Sequence, residues 1–236
     1  MISGLIELYQ ADFSPSWLDW AITLQQDQDN LFWDYAGKGY FLTRHSPTLP
    51  VPLQVKEKLD GMYPSGNSAA VYNNLRLWEY TRNERYRQRA YDSLRLMQGS
   101  IQDASLVDSI FSDTNSQGDT PPCHVAIMYP RSETAASVTP FLDAMRRVYA
   151  PDTLVAVAAE GSEHQRMLPM LQDKECIDNR ATAYVLQTGS QFATVTVVEP
   201  EELMARIRPV PSTAALEAFA GLDKPGTSSP LLVNAS

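Results

Sequence analysis

A chain of 236 residues with 44% apolar content, 19 Lys and Arg against 28 Asp and Glu, and a net charge of −9 has enough apolar material for one large or two small globular domains. That composition excludes a collagen-like or wholly disordered polymer. The acidic balance argues against a nucleic-acid role, because binding a phosphate backbone draws on clustered Lys and Arg. No apolar run approaches the roughly 20 residues that cross a bilayer, and no basic-then-apolar leader opens the chain. Cys123 and Cys176 stand in neither C-x-x-C nor metal-ligand spacing. The chain reads as cytoplasmic, without membrane, metal or cofactor signals.

Apolar residues repeat helically from Ile2 through Leu5, Ile6 and Tyr9, with nothing before them to serve as a cap, so the first helix reads as cut into. Pro15 suits the first position of a second helix of about four turns, whose expected buried stripe is Trp17, Trp20, Ala21, Leu24, Leu31 and Phe32. Residues 34–64 hold Gly37, Gly39, Pro47, Pro50, Pro52 and Pro64, with short extended pieces at 39–42 and 52–55. A structured loop of this length is a place to look for function. Helical spacing resumes at Ser68, Val71, Leu75 and Trp78. A second run at Tyr86, Ala90, Leu94, Met97 and Ile101, capped by Asn83, turns the pair into an antiparallel hairpin.

Residues 113–121 shift to Ser, Asn, Gly, Asp and Pro and read as a linker. Beyond it, 124–129 and 154–159 read as strands joined by a helix through Phe141, Leu142, Met145 and Val148, with Thr139 as cap and Pro140 first. Strand, helix, strand implies a parallel pair. Two further strands at 182–186 and 192–197 and a helix at 199–208 complete a small α/β unit over 122–208, followed by a loose tail at 209–236.

Asp60, Ser65, Gly66, Asn67 and Ser68 carry the sharpest site signal. Ser65 caps the helix behind it, and the free N–H groups and positive dipole end of a helix start attract an anion or sugar oxygens. The alternative is a loop that merely enters a helix tightly. Trp33 and Asp34 form a second cluster: a ring stacks on a sugar face and a carboxylate accepts its hydroxyls, while an aromatic at a helix end also serves as core. Acid–base work on a sugar needs two carboxylates, or a carboxylate and a histidine, across a pocket. Asp34, Glu57, Asp60, Glu79 and His45 are the candidates. The segment 160–164 lacks the second glycine of a nucleophile elbow, and no phosphate loop follows the strands.

Three stretches together resemble the C-terminal part of the spermatogenesis-associated protein 20 family of thioredoxin-domain-containing proteins. They are Trp17-Leu18-Asp19-Trp20-Ala21 with Leu31-Phe32-Trp33-Asp34 and Gly39-Tyr40-Phe41; Asp60-Gly61 with Pro64-Ser65-Gly66-Asn67-Ser68 and Asn74-Leu75-Arg76-Leu77; and Tyr149-Ala150-Pro151 with Ala181-Thr182-Ala183-Tyr184-Val185 and Glu199-Pro200-Glu201-Glu202-Leu203. The resemblance implies an α+β fold: a partial α/α toroid of the six-hairpin glycosidase type over 1–112, then the small α/β subdomain, with the thioredoxin-like domain and most of the toroid lacking. Where the family often has two cysteines after the Tyr-Val strand, this chain has Leu186 and Gln191.

The resemblance implies a remnant sugar-binding cavity with Asp60 as polar anchor or acid/base. Ser65, Asn67, Ser68 and Asp34 would contact a carbohydrate ligand, and Trp33 would be a stacking platform. Catalysis by this chain alone is not expected, since a toroid site draws on several hairpins. The missing helices imply self-association or a chain that supplies them. The competing reading is a non-enzymatic interaction module that docks a partner through the α/β unit.

Overall fold

The computed structural model describes residues 1–44, 54–97, 123–148, 153–187 and 193–207. It is α+β, with helices followed by one four-stranded sheet. The linker at 113–121, the tail at 209–236, Ile101 and His45 lie outside the described residues.

Helix α1 (Ile2–Asp12) buries Ile2, Leu5, Ile6 and Tyr9, the i, i+3, i+4, i+7 stripe of an amphipathic helix. It ends where Phe13 turns left-handed (φ 58°) and returns its N–H to the Tyr9 carbonyl. Helix α2 (Pro15–Phe32) starts on proline as expected, but its buried stripe is Leu18, Ala21, Gln25 and Asp29. The expected stripe is corrected: Trp20 is 49% and Leu31 44% exposed. Hydrophobicity misled because two polar side chains occupy the inward positions, where Asp29 is bonded by Tyr40 and Arg85 and Gln25 Nε2 bonds to Asp29 and Tyr40.

Helices α3 (Gly66–Thr81) and α4 (Glu84–Met97) form the expected antiparallel hairpin. Arg82, left-handed at φ 52°, closes α3 on Trp78, and Asn83 Oδ1 accepts from the Arg85 N–H at 3.1 Å to start α4. Tyr86, Ala90, Leu94 and Met97 are all buried.

The sheet runs β2-β1-β3-β4. Strand β1 (Cys123–Tyr129) pairs parallel with β2 (Leu154–Ala159) and antiparallel with β3 (Thr182–Gln187), which pairs antiparallel with β4 (Ala193–Val197). Between β1 and β2 lies α5 (Thr139–Arg146); its cap is Val138, and Thr139 is already helical, which corrects the expected capping role of Thr139. The short α6 (Glu163–Met167), capped by Ser162 through the Gln165 N–H, was not read from the sequence. Helix α7 (Pro200–Arg206) closes the described chain.

Side chains alternate across the sheet. Ala126, Met128, Leu154, Ala156 and Tyr184 face a core shared with Ile6, Tyr9, Leu18, Leu77 and Tyr80 of the helices. Val125, Ile127, Val157, Val185 and Val197 face Phe141 of α5 and Leu203 of α7. Strand β1 is covered on both faces, which explains its unbroken apolar run. Tyr9 bridges the two parts: its hydroxyl oxygen lies 2.8 Å from His164 Nε2, and its ring meets Tyr80 edge-on at 5.1 Å.

Candidate functional site

The start of α3 is a knot of short hydrogen bonds. Ser65 Oγ accepts from the Ser68 N–H at 3.1 Å, and the Ser68 hydroxyl donates to Asp60 Oδ1 at 2.6 Å. The Ser65 N–H donates to the same Asp60 oxygen at 2.8 Å, and Glu57 Oε2 accepts from the Gly66 N–H at 3.4 Å. The loop's own carboxylates thus sit at the positive end of the helix, where an external anion was one expectation. The Ser68 hydroxyl first, and then the Ser65 N–H, hold the exposed Asp60 carboxyl below its ordinary value, so it is a carboxylate at neutral pH.

Asn67 plays a different part from the ligand contact expected of it. It is buried; its Nδ2 donates to the carbonyls of Tyr40 at 3.0 Å and Glu57 at 2.8 Å, and its Oδ1 accepts the Tyr40 N–H at 2.8 Å. It stands in for a strand neighbour, clasping the extended segment around Tyr40 to α3. The clasp needs Gly39: φ is +73°, and a Cβ there would lie 2.4 Å from Leu96 Cδ2. Asn67→Ala strands the two buried backbone groups of Tyr40 and frees the part-buried Glu57 carbonyl, and is expected to cost about 2 kcal/mol in urea denaturation; an unchanged midpoint would remove the clasp from the account.

Trp33 offers no open face to a sugar, which corrects its expected role as a platform. It is 6% exposed, packs edge-on to Tyr40 at 4.9 Å, and carries the Arg89 guanidinium 3.9 Å over its ring. Asp34 is likewise engaged. Burial acts to raise its pKa, but the Lys56 ammonium at 2.6 Å and the N–H groups of Gly37 and Ala36 outweigh that and hold it below the usual carboxylate range. Lys56 also reaches the Lys38 carbonyl, so Asp34 fastens the two ends of the loop together. Glu79 pairs with Arg76 at 3.2 Å on α3.

A buried polar centre lies behind these residues, and the sequence reading missed it. Asp29, 1% exposed, accepts from Tyr40 Oη at 2.6 Å and Gln25 Nε2 at 3.0 Å on one oxygen and pairs with Arg85 at 3.0 Å on the other. Arg89 Nε stands 3.4 Å away, and Asn74 Nδ2 donates to Tyr40 Oη at 3.2 Å. The available signal was Gln25 and Asp29 one turn apart in line with Leu18 and Ala21.

Two open clefts flank the start of α3. One, of about 180 Å³, is lined by Gln28, Phe32, Tyr40, Glu57 and Asn67 among others. The other, of about 360 Å³, has Asp60, Ser68 and Tyr72 around a floor that includes Val71, Leu75 and Leu94. Asp60 and Ser68 therefore share a groove, Asn67 faces the other cleft, and Trp33 and Asp34 line neither. In the α/β unit, burial and then Glu160 push the Cys176 thiol up to about 11. It is protonated at neutral pH and a poor nucleophile.

Paired antiparallel helices sealed onto one face of a small mixed sheet place the chain among α+β proteins. Mouse spermatogenesis-associated protein 20 is 28% identical to it over 207 residues, covering 86% of this chain and 25% of that protein. The human protein of that name is 29% identical over 213 residues, 89% of this chain and 26% of that protein. The chain is homologous to spermatogenesis-associated protein 20 and spans about a quarter of the length of these relatives. No family model and no solved structure matches it.

Proposed function

We propose that this chain is part of an α/α toroid of the six-hairpin glycosidase type and carries one wall of a carbohydrate-binding groove in the cytoplasm, without completing a catalytic centre by itself. The observation behind this is the Asp60–Ser68 pair, joined at 2.6 Å and lining an open groove of about 360 Å³ together with Tyr72. With the Ser68 proton already given to Asp60, the remaining lone pairs of the carboxylate accept from sugar hydroxyls. A general acid or base needs a pKa near the working pH, and the depression at Asp60 suits it to an anchoring role instead. Thermal-shift titration with a panel of monosaccharides is expected to stabilise the wild type and to leave Asp60→Asn unmoved. Equal shifts in both proteins, or none in either, count against the groove.

The apolar surface supports the second half of this reading. Trp20 and Leu31 on α2, and Leu59, Met62 and Tyr63 before α3, face outward. Burying such surface contributes about 25 cal/mol per Å², and grouped patches mark contact sites. Further protein, a second copy of this chain first, is the proposed cover. Light scattering after size exclusion is expected to show self-association, reduced by Trp20→Ser with Leu31→Ser. A monodisperse wild-type monomer would refute it.

A further inference from the structure

We propose that the groove beside Asp60 holds a single neutral pyranose ring, and that Tyr72, held by Glu7 of α1, contacts the hydroxyls at the end of the ring remote from Asp60. This rests on the carbohydrate reading above and adds the size of the ligand, a residue and a helix to it.

The argument begins with helix geometry. Ser68 and Tyr72 are four residues apart on α3, so they project from the same face about 6 Å apart along the axis, close to the span of one sugar ring. At the Ser68 end stands the Asp60 carboxylate, at 2.6 Å. At the Tyr72 end the phenol donates to Glu7 Oε1 at 3.2 Å, which ties α1 to the groove. The floor is aliphatic, with Val71, Leu75 and Leu94, and Lys58 shares the lining with Asp60, so opposite charges offset each other there and the groove suits the C–H face of an uncharged ring. Tyr72 is 47% exposed, so its oxygen and ring edge are open to a ligand while Glu7 orients them.

Charge balance at the far end points the same way. Arg76 lies one turn beyond Tyr72 and is paired with Glu79 at 3.2 Å. Burial first raises the phenol's pKa, and Arg76 opposes it; Tyr72 is therefore a neutral hydroxyl whose proton goes to Glu7 and whose oxygen accepts from a ligand hydroxyl. A linear polyol presents no flat C–H face to the aliphatic floor, so a ring is favoured over an open chain.

Ligand-observed NMR with glucose and mannitol as probes tests this on the full chain, comparing wild type with Asp60→Asn, Tyr72→Phe and Glu7→Gln, with the melting temperature of each. The expected result is binding of glucose in preference to mannitol, about ten-fold weaker in Tyr72→Phe and several-fold weaker in Glu7→Gln, with melting temperatures unchanged. Glucose bound equally by wild type, Tyr72→Phe and Glu7→Gln but lost in Asp60→Asn overturns this inference and leaves the groove reading standing. Mannitol bound as well as glucose overturns the ring assignment. No binding by the wild type overturns both readings together.

Discussion

Replacing Asp29 with alanine is expected to destabilise the chain by about 3–5 kcal/mol, the range found when one member of a buried charged network is removed. The carboxylate is 1% exposed and accepts from Tyr40, Gln25 and Arg85. Without it the Tyr40 phenol loses its acceptor in a dry interior, the Gln25 amide keeps only Tyr40 Oη at 3.2 Å, and the positive charges of Arg85 and Arg89 are left uncompensated. Arg85→Ala is expected to cost far less, about 1 kcal/mol, because its side chain is 48% exposed and water can replace it around the remaining groups. The asymmetry is the test: urea denaturation should separate the two variants by about 2–4 kcal/mol, and near-equal losses would mean that Asp29 is not the hub. The consequence reaches the groove. Asp29 holds Tyr40, Tyr40 is clasped by Asn67, and Asn67 sits two residues into the helix whose first turn carries Ser68. Ligand binding through Asp60 and Ser68 should therefore weaken in Asp29→Ala even in the fraction that remains folded.

The same centre marks where sequence reasoning stops. The stripe of α4 was legible because Tyr86, Ala90, Leu94 and Met97 are buried in step with their apolarity. The stripe of α2 was not, because Gln25 and Asp29 are buried by partners on α4 and in the loop while Trp20 and Leu31 remain outside. Strands β1 and β2 were legible as short β-branched and apolar runs, whereas the five-residue α6 has too few positions to show a period. The start of α3 was legible in part. Its cap is local, so Ser65, Ser68 and Asp60 fall together within one turn and a short loop. The clasp between Asn67 and Tyr40 spans 27 residues, and the burial of Trp33 depends on Arg89 of another helix. Neither distance is encoded in local spacing, so a side chain that binds backbone and one that binds ligand look alike in the sequence.

Acid is expected to weaken the fold well before the carboxylates protonate, through two histidines. His124 on β1 and His164 on α6 are both buried, and each pKa is lowered from 6.5 to about 4, at His164 by burial and at His124 by burial together with the charges of Arg82 and Arg76. Neither Nδ1 has a hydrogen-bond partner among the described residues, so a second ring proton has no acceptor to meet. The native protein keeps both rings neutral while the unfolded chain takes up protons below about pH 6.5. Stability is thus fully present above pH 6.5, falls as the pH drops through the window from 6.5 to 4, and levels once the native rings titrate too. Each histidine should contribute a loss of about 2–3 kcal/mol between pH 7 and pH 4.5. The depressed carboxyls of Asp34 and Asp60 act in the same direction only lower down, as the pH falls below the usual carboxylate range. His164→Phe keeps an aromatic ring against Tyr9, whose centroid lies 5.5 Å away, and His124→Val suits a strand. Each variant should remove roughly half of the wild-type decline measured by denaturation at the two pH values, and the double variant most of it. Because His164 joins α6 to α1 through the Tyr9 contact at 2.8 Å, its protonation should loosen the sheet from the helices first. Tyr9 fluorescence and hydrogen exchange at β2 would then respond before exchange within the α3–α4 hairpin, and a decline unchanged in both variants would assign the acid sensitivity to other groups.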